Sequence, residues 1–190
     1  MSEQKRIVVG ISGASGAIYG IRLLEVLHAN PDIETHLVMS GGARATIDYE
    51  TNCSADEVRA LADVEHAESA LDAAIASGTF LTDAMVVAPC STRTLSAIAN
   101  SANDNLIVRA ADVHLKERRP LVLVVRETPL HAGHLRLMTD VTTAGAIVLP
   151  PVPGFYVRPK TIDDLVDHTI GKVLDAIRIP HELFERWSGI

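Results

Sequence analysis

The fold of this chain is decided by the stretch Val8-Val9-Gly10-Ile11-Ser12-Gly13-Ala14-Ser15-Gly16-Ala17. A short β-branched run ends at a glycine-rich turn, and apolar residues then recur at helical spacing as far as Leu27. The stretch therefore predicts a strand, a tight loop and a helix. The unpaired N–H groups at the start of such a helix favour an anion, most simply a phosphate. The glycine spacing matches neither the dinucleotide fingerprint nor the Walker motif, so the alternative is a tight connection whose glycines serve packing only.

The composition indicates a single globular domain over residues 1–190. Hydrophobic residues make up 47% of the chain, which suffices for a substantial core. The net charge of −7 argues against nucleic acid as a partner, because no basic face offsets it. No apolar run approaches the ~20 residues of a membrane span, and no signal sequence precedes the first strand. The two cysteines provide no disulfide framework, so we expect a cytoplasmic protein.

Apolar segments alternate with helical patterns along the chain. Strands are predicted at 6–11, 34–39, 84–88, 121–125 and 146–149. Helices are predicted at 17–29, 42–50, 55–63, 68–77, 92–100, 105–118, 133–144 and 162–177, with a short C-terminal helical tail at 181–187. The strands lack polar alternation, as in a parallel sheet covered on both faces. We therefore predict an α/β fold with a three-layer, doubly wound parallel sheet of flavodoxin/Rossmann-like type.

The candidate site lies where the predicted strands end, because doubly wound sheets bind ligands outside the carboxyl ends of their strands, at a topological switch point. The segments that follow the strands are 12–16, 40–42, 89–94 and 126–129. Three of these segments carry hydroxyls beside a helix start. The fourth carries Arg126 and Glu127, a pair suited to phosphate binding and proton transfer at such an edge, although elsewhere it would be an unremarkable salt bridge.

Several candidates also have purely structural interpretations. The hydroxyls of Ser15, Ser40 and Ser91 are typical helix caps, and the same hydroxyls are suited to a phosphate or a ring. Glu50 ends a helical pattern, as a surface acid does. Cys90 is interpreted as a small buried residue, because no histidine is adjacent to it in sequence.

The remaining candidates are basic and imidazole side chains. Arg109 and Lys116 are seven residues apart, so they occupy the same face of one predicted helix. The Arg118–Arg119 pair is interpreted as a solvated cluster. His131 and His134 have a spacing that metal ligands use, but no third ligand accompanies them, so no metal is predicted.

Assembled in this way, the chain resembles the UbiX family of flavin prenyltransferases over about residues 5–187. The resemblance rests on the glycine loop at 10–20, Ala-Pro-Cys-Ser at 88–91, the long block at 109–129 and Pro-Val-Pro-Gly-Phe-Tyr at 151–156. The block at 109–129, which ends in Val-Val-Arg-Glu-Thr-Pro, is the specific part, whereas the glycine loop alone is not.

The resemblance implies an FMN-binding enzyme that forms homo-oligomers, typically dodecamers. Members of the family transfer a dimethylallyl group from dimethylallyl monophosphate to N5 and C6 of reduced FMN, and they release phosphate without a metal. The prenylated FMN then serves a UbiD-type decarboxylase, for example in ubiquinone biosynthesis. Fixed cations in a closed site would stabilise the charge on the departing phosphate.

The resemblance also implies roles for individual residues. FMN would be bound by Gly13, Ala14, Ser15, Ser40, Ser91, Thr92, Arg93, Thr94 and Arg126. The donor would be held by Arg109, Lys116, Tyr156, Lys172 and Trp187. The chemistry would be steered by Ser15, Glu50, Lys116 and Glu127, with Glu127 managing a proton near the departing phosphate. Gly41-Gly42 and Lys172 depart from the family pattern, which has Lys-Ala after Ser40 and in some members Arg at position 172.

Two other functions are compatible with such a fold. A decarboxylase of the phosphopantothenoylcysteine type carries a catalytic histidine after the second strand and an Asn-Met motif. This chain has Glu50 in that region and lacks the motif. A non-catalytic FMN carrier would leave Arg109, Lys116, Arg126 and Lys172 without a task, so the residues favour the prenyltransferase.

Overall fold

A computed structural model describes residues 4–186. Within them, the strands form one parallel sheet: β1 (Lys5–Ile11), β2 (Ile33–Met39), β3 (Val64–His66), β4 (Ala84–Cys90), β5 (Leu121–Val125) and β6 (Ile147–Val148). Their order is β3-β2-β1-β4-β5-β6, which is typical of dinucleotide-binding sheets. The chain winds outward in one direction from β1 and in the other from β4, so the switch point lies between these two strands.

Helices cover both faces of the sheet. They are α1 (Ala17–His28), α2 (Gly41–Glu50), α3 (Ala55–Arg59), α4 (Thr92–Ala99), α5 (Leu106–Lys116), α6 (Ala132–Ala144) and α7 (Ile162–Ala176), and a 3₁₀ turn lies at Ala74–Ala76. Among residues 4–186, no helix combines the length and the apolar character that a bilayer span requires.

The core has two halves, one on each face of the sheet. Alternate residues of β1 divide between them: Ile7 and Val9 pack with α1, α2, α3 and α7, whereas Val8 packs with α4, α5 and α6. Every residue of β4 and β5 is buried. Burial of each large aliphatic side chain contributes about 1.5–3 kcal/mol, so covering both faces stabilises the parallel sheet. The predicted three-layer, doubly wound sheet is confirmed.

The local predictions are wrong mainly between β2 and β4. Strand β3 pairs with β2 over three residues and has the sequence Val-Glu-His, so it lacks the apolar run that would predict a strand. The helix predicted at 55–63 ends at Arg59, and the helix predicted at 68–77 is reduced to the 3₁₀ turn. In that segment the Glu68 carbonyl accepts from the Leu106 N–H, and its carboxylate accepts from the Gly41 N–H. Tertiary hydrogen bonds thus replace the helical ones.

The predicted C-terminal helical tail is also wrong over its described part, because residues 181–186 are not helical. His181 and Arg186 both contact the Asp175 carboxylate near the end of α7, at 3.2 and 2.9 Å. These contacts fold the segment back against α7, which is incompatible with a separate helix.

Candidate active site

Ser12 bridges the switch point between β1 and β4. Its hydroxyl donates to the Pro89 carbonyl oxygen and accepts from the Ser91 N–H, both at 2.8 Å. Ser12 is 2% exposed, so both hydrogen bonds form away from water, where an unpaired donor is costly. The bridge fixes the β1–α1 loop against the β4–α4 loop at the carboxyl edge of the sheet. We refer to this edge, formed by the segments that follow β1, β2, β4 and β5, as the crevice.

The start of α1 holds an anion that belongs to the chain itself. A Glu50 carboxylate oxygen accepts from the Gly16 N–H at 2.7 Å and from the Ala17 N–H at 3.3 Å. The N-cap residue is Gly16, in the left-handed region at φ 100°, and neither it nor Ser15 caps the helix with a side chain of its own. The interpretation of Ser15 as a helix cap is therefore wrong. The predicted anion at this helix is a carboxylate and not a free phosphate position.

The Glu50 carboxylate is ionised at neutral pH. Partial burial raises its pKa, but hydrogen bonds from the Ser15 hydroxyl and from the Gly16 and Ala17 N–H groups, with the charge of Arg126, lower it by more. The net pKa lies below the ordinary value of a glutamate. Glu50 is thus part of the site and not the plain surface acid that its sequence position also permitted.

Arg126 and Glu127 follow β5 directly and reach the same edge. The Arg126 Nε donates to the Ser15 carbonyl oxygen at 3.2 Å, and the Arg126 N–H donates to the Cys90 carbonyl oxygen at 3.1 Å. The Glu127 carboxylate accepts from the Thr128 N–H at 3.0 Å. The structure therefore brings Ser15, Glu50 and Arg126 together, with Glu127 next to them in sequence.

The β2–α2 turn closes against the glycine loop. The Ser40 hydroxyl caps α2 by accepting from the Ala43 N–H at 3.0 Å, as predicted. A Cβ on Gly13 would lie 3.0 Å from the Gly42 Cα, so the two backbones meet without side chains between them. A Cβ at Gly41 would meet nothing within 4 Å. Of the two glycines that replace Lys-Ala after Ser40, Gly42 lies in a close backbone contact and Gly41 borders open space.

The start of α4 is the helix terminus best suited to an external anion. The Ser91 hydroxyl accepts from the Thr94 N–H at 3.2 Å, which confirms the predicted cap. Within residues 4–186, no oxygen accepts from the N–H groups of Thr92 or Arg93. By contrast, Glu50 occupies the start of α1 and Glu68 binds the Gly41 N–H of α2 at 2.9 Å. A phosphate at α4 would find two N–H donors, nearby hydroxyls and the positive end of the helix dipole.

Tyr156 lines a cavity of about 590 Å³ between the segment after β6, helix α7 and the C-terminal segment. Its hydroxyl is 3.0 Å from His168 Nε2. Ser15, Glu50 and Arg126 do not line this cavity. Lys172 lies on α7, half-exposed, with its Nζ 3.8 Å from the Asp175 carboxylate. Trp187 lies outside the described residues.

Arg109 and Lys116 lie on α5, which runs antiparallel to the strands. The Arg109 Nε donates to the Ala76 carbonyl oxygen at 3.0 Å, and its Nη1 pairs with Asp112 at 3.2 Å. Lys116 ends α5 and pairs with Glu117. Because α5 ends where β5 is about to begin, Lys116 stands at the amino edge of the sheet, opposite the crevice. One chain alone does not bring Lys116 to the site.

The other candidate residues have structural roles. Arg119 is not merely solvated, because it donates to the carbonyl oxygens of Gly78 and Phe80 at 2.6 and 2.9 Å. Cys90 is fully buried, and burial raises the pKa of its thiol to about 12, which confirms its interpretation as a core residue. His131 Nδ1 accepts from the Gly133 N–H at 3.0 Å, and the His131 and His134 rings are in contact, tilted by 35° with centroids 3.8 Å apart. Across residues 4–186, no three metal-ligating side chains form a cluster.

Three residues with structural roles around the crevice and the Tyr156 cavity are not predicted from the sequence: Ser12, Glu68 and His168. The rule about strand ends predicts that the segment containing Ser12 lies at the site, but it does not predict the bridging role of Ser12. Glu68 lies in the stretch 68–77, where the predicted helix does not form. His168 carries no motif, and its role follows only from the packing of α7 against the segment after β6.

The sequence has close relatives with known activities. Residues 1–176 match the family model described as Flavoprotein. The flavin prenyltransferase UbiX of Escherichia coli K12 is 60% identical over 187 residues, which cover 97% of this chain and 99% of that protein. The flavin prenyltransferase LpdB of Lactiplantibacillus plantarum is 51% identical over 185 residues, covering 97% and 99% respectively.

Solved structures match the whole architecture. The crystal structure of AnUbiX (PadA1) in complex with FMN and dimethylallyl pyrophosphate has a TM-score of 0.96 and 50% identity, covering 99% of this chain and 100% of that chain. The dodecameric FMN-dependent UbiX-like decarboxylase from Escherichia coli O157:H7 has a TM-score of 0.95 and 47% identity, covering 97% and 100%. Since this similarity extends over nearly the full length of both partners, the chain belongs to the UbiX family of flavin prenyltransferases.

Proposed function

We propose that this protein transfers the dimethylallyl group of dimethylallyl monophosphate to N5 and C6 of reduced FMN and releases phosphate. The observation that carries the proposal is the start of α4, where the Thr92 and Arg93 N–H groups lie beside the Ser12 bridge with no carboxylate on them. The flavin prenyltransferase relatives, and the AnUbiX complex with FMN and dimethylallyl pyrophosphate, support the pairing of these two ligands.

The residues of the crevice fit an FMN molecule. Its phosphate has N–H donors and hydroxyls at α4, and the bare backbone of Gly13 against Gly42 lets a flat ring approach closely. We assign FMN binding to Gly13, Ala14, Ser15, Ser40, Ser91, Thr92, Arg93, Thr94 and Arg126. Reduced FMN supplies the electron-rich ring atoms that accept the allyl group.

The proposed catalytic residues are Ser15, Glu50, Lys116 and Glu127. Ionised Glu50 accepts a hydrogen bond from the Ser15 hydroxyl. The lone pairs of the Ser15 oxygen can then accept a hydrogen bond from an N–H of the bound ring. Arg126 holds the Ser15 carbonyl, so it fixes the turn that carries this hydroxyl. Glu127 holds or moves a proton at a phosphate oxygen as the donor C–O bond breaks.

The donor phosphate is proposed to bind Tyr156, Lys172, Arg109 and Lys116, with Trp187 covering the allyl group. Because Lys116 stands at the opposite edge of its own sheet, we assign Lys116 and Arg109 to the site of a neighbouring copy. The dodecameric relative supports a homo-oligomer of this kind, and we propose a dodecamer. Fixed cations stabilise the phosphate charge directly, so no metal is assigned to the reaction.

The wider setting is proposed on the same basis. Residues 1–190 would form one flavin-binding domain that works in the cytoplasm. The prenylated FMN would pass to a UbiD-type decarboxylase, for example in ubiquinone biosynthesis. Nucleic acid and membranes are not among the proposed partners.

The proposal is tested by anaerobic incubation of the protein with reduced FMN and dimethylallyl monophosphate, followed by mass spectrometry of the released flavin. We expect the flavin to gain the mass of one prenyl group. Parallel incubations with the diphosphate identify the donor. Flavin of unchanged mass with both donors would contradict the proposal: release of CO₂ from a cysteine-derived carboxylate would then favour the decarboxylase, and FMN binding without turnover would favour the carrier.

A further inference from the structure

The Tyr156 hydroxyl rests on a buried histidine from another element. His168 Nε2 lies 3.0 Å from this hydroxyl, and the two rings meet edge to face at 82° with centroids 5.7 Å apart. Tyr156 is 61% exposed, whereas His168 on α7 is only 8% exposed. An exposed phenol is therefore hydrogen-bonded to a buried imidazole.

The packing around His168 holds its ring in place. A Cβ on Gly154 would lie 3.0 Å from His168 Cε1, so the segment after β6 passes against one edge of the ring. The Phe184 ring packs against another side, with centroids 5.1 Å apart. Because the ring has little room to turn, the position of Nε2 is set by the fold and not by the ligand.

The direction of this hydrogen bond decides what the phenol can do. A neutral imidazole donates from one nitrogen and accepts at the other. If Nε2 accepted the phenol proton, Tyr156 would have no proton to offer to a phosphate. If Nε2–H donates to the phenol oxygen, the phenol proton turns to a second acceptor, and the donated bond polarises the O–H group.

We propose that His168 is a positioning residue for the donor phosphate: its Nε2–H donates to the Tyr156 oxygen and thereby directs the phenol proton to a phosphate oxygen of dimethylallyl monophosphate. This inference rests on the proposed function. His168 and Lys172 are four residues apart on α7, so they are neighbours on the helix surface. Helix α7 thus carries both His168, which orients the Tyr156 hydroxyl, and Lys172, the second proposed ligand of the phosphate.

The test compares His168→Gln, His168→Asn and His168→Leu in steady-state prenylation with varied dimethylallyl monophosphate. Glutamine places an N–H near the position of Nε2, whereas asparagine is too short and leucine has no donor. We expect KM for the donor to rise about fivefold to tenfold in the Asn and Leu variants and to stay within about twofold of wild type in the Gln variant. FMN affinity, measured by fluorescence quenching, should be unchanged in all three.

A double-mutant cycle with Tyr156→Phe separates positioning from a structural role. If His168 acts through the phenol, His168→Leu adds no further rise in KM once the hydroxyl is gone. An equal additional loss in the Tyr156→Phe background, or a wild-type KM in both Asn and Leu variants, would overturn the inference. A wild-type protein that forms no prenylated flavin would instead overturn the proposed function, so the two failures are distinguishable.

Discussion

Glu50 stabilises the first turn of α1 although it lies 34 residues away in sequence from Gly16. Its carboxylate accepts two N–H groups that a helix start leaves unpaired, and it sits at the positive end of the helix dipole. The same carboxylate accepts a hydrogen bond from the Ser15 hydroxyl. One ionised side chain therefore fixes both the backbone of the glycine loop and the orientation of a proposed catalytic hydroxyl.

Glu50→Gln should destabilise the protein at neutral pH by about 0.5–1 kcal/mol, because the amide retains an acceptor but loses the charge. The pKa of Glu50 is lower in the folded than in the unfolded protein, so its contribution is present above the unfolded pKa and disappears as the pH falls through the folded one. Urea unfolding at pH 7 and pH 3 measures this difference. Asp48→Asn, on the exposed side of the same helix, serves as the control. An equal difference at both pH values would contradict the assignment.

Glu127 lies beside Arg126 at the crevice, and its proposed task is proton transfer and not flavin binding. Glu127→Gln should therefore leave the FMN dissociation constant unchanged while it slows prenylation about a hundredfold. Single-turnover formation of the prenylated flavin measures the rate. Glu25→Gln, whose carboxylate pairs with Arg22 on the surface of α1, is the matched control. Unchanged turnover of the Glu127 variant would remove this residue from the mechanism.

Helix α4 differs from its neighbours in what caps it. The starts of α1 and α2 both receive a carboxylate from elsewhere in the chain, whereas α4 receives only the hydroxyl of Ser91. A carboxylate there would repel a phosphate. The sequence Ser-Thr-Arg-Thr places hydroxyls and a cation at this helix start where α1 and α2 have a carboxylate. The start of α4 is therefore suited to bind an anion from outside the chain.

Thr92→Pro tests this helix start with little disturbance. Thr92 is the first helical residue, where proline is well tolerated, and Ser91 already has the extended conformation that a following proline requires, at φ −73° and ψ 157°. The substitution removes one N–H, so we expect FMN affinity to fall about tenfold while riboflavin, which lacks the phosphate, binds as before. Thr92→Val, which keeps the N–H but loses the hydroxyl, is the control. Equal weakening of both flavins would show that the phosphate lies elsewhere.

The sequence predicts elements well where one physical signal dominates. The apolar runs of β1, β4 and β5 predict buried strands correctly, because both faces of these strands lie in the core. The segment between β2 and β4 has no such apolar run. Its alanines favour a helix by intrinsic propensity, but Glu68 makes hydrogen bonds to α2 and to the start of α5 instead, so the predicted helix does not form.

The candidate site follows the same division. The strand-end rule correctly identifies the segments that converge on the crevice, and the caps Ser40 and Ser91 are predictable from local chemistry alone. The capture of the α1 start by Glu50 and the contact between His168 and Tyr156 join distant segments. No local pattern specifies which acid or which histidine makes such a contact.

The proposed site is larger than one chain. The crevice lies at the carboxyl edge of the sheet, whereas Lys116 ends α5 at the amino edge and pairs there with Glu117. A cation so placed can serve a phosphate at the crevice only when the amino edge of one copy lies against the carboxyl edge of another. The proposed site is therefore completed only in a homo-oligomer.

Mixed oligomers test this arrangement. Lys116→Ala and Arg126→Ala should each lose prenylation, the first by removing a cation from a neighbour's site and the second by disturbing the chain's own crevice. When the two variants are co-assembled in equal amounts, roughly a quarter of the sites combine an intact crevice with an intact Lys116 from the adjacent copy, so activity should return to about that fraction. Arg126→Ala mixed with Glu127→Ala provides the control, because both lesions lie in the same crevice and no mixture restores it. No recovery in the Lys116 mixture would place Lys116 in the site of its own chain or outside the reaction. Recovery in the control would show that Arg126 and Glu127 of one chain act in different sites.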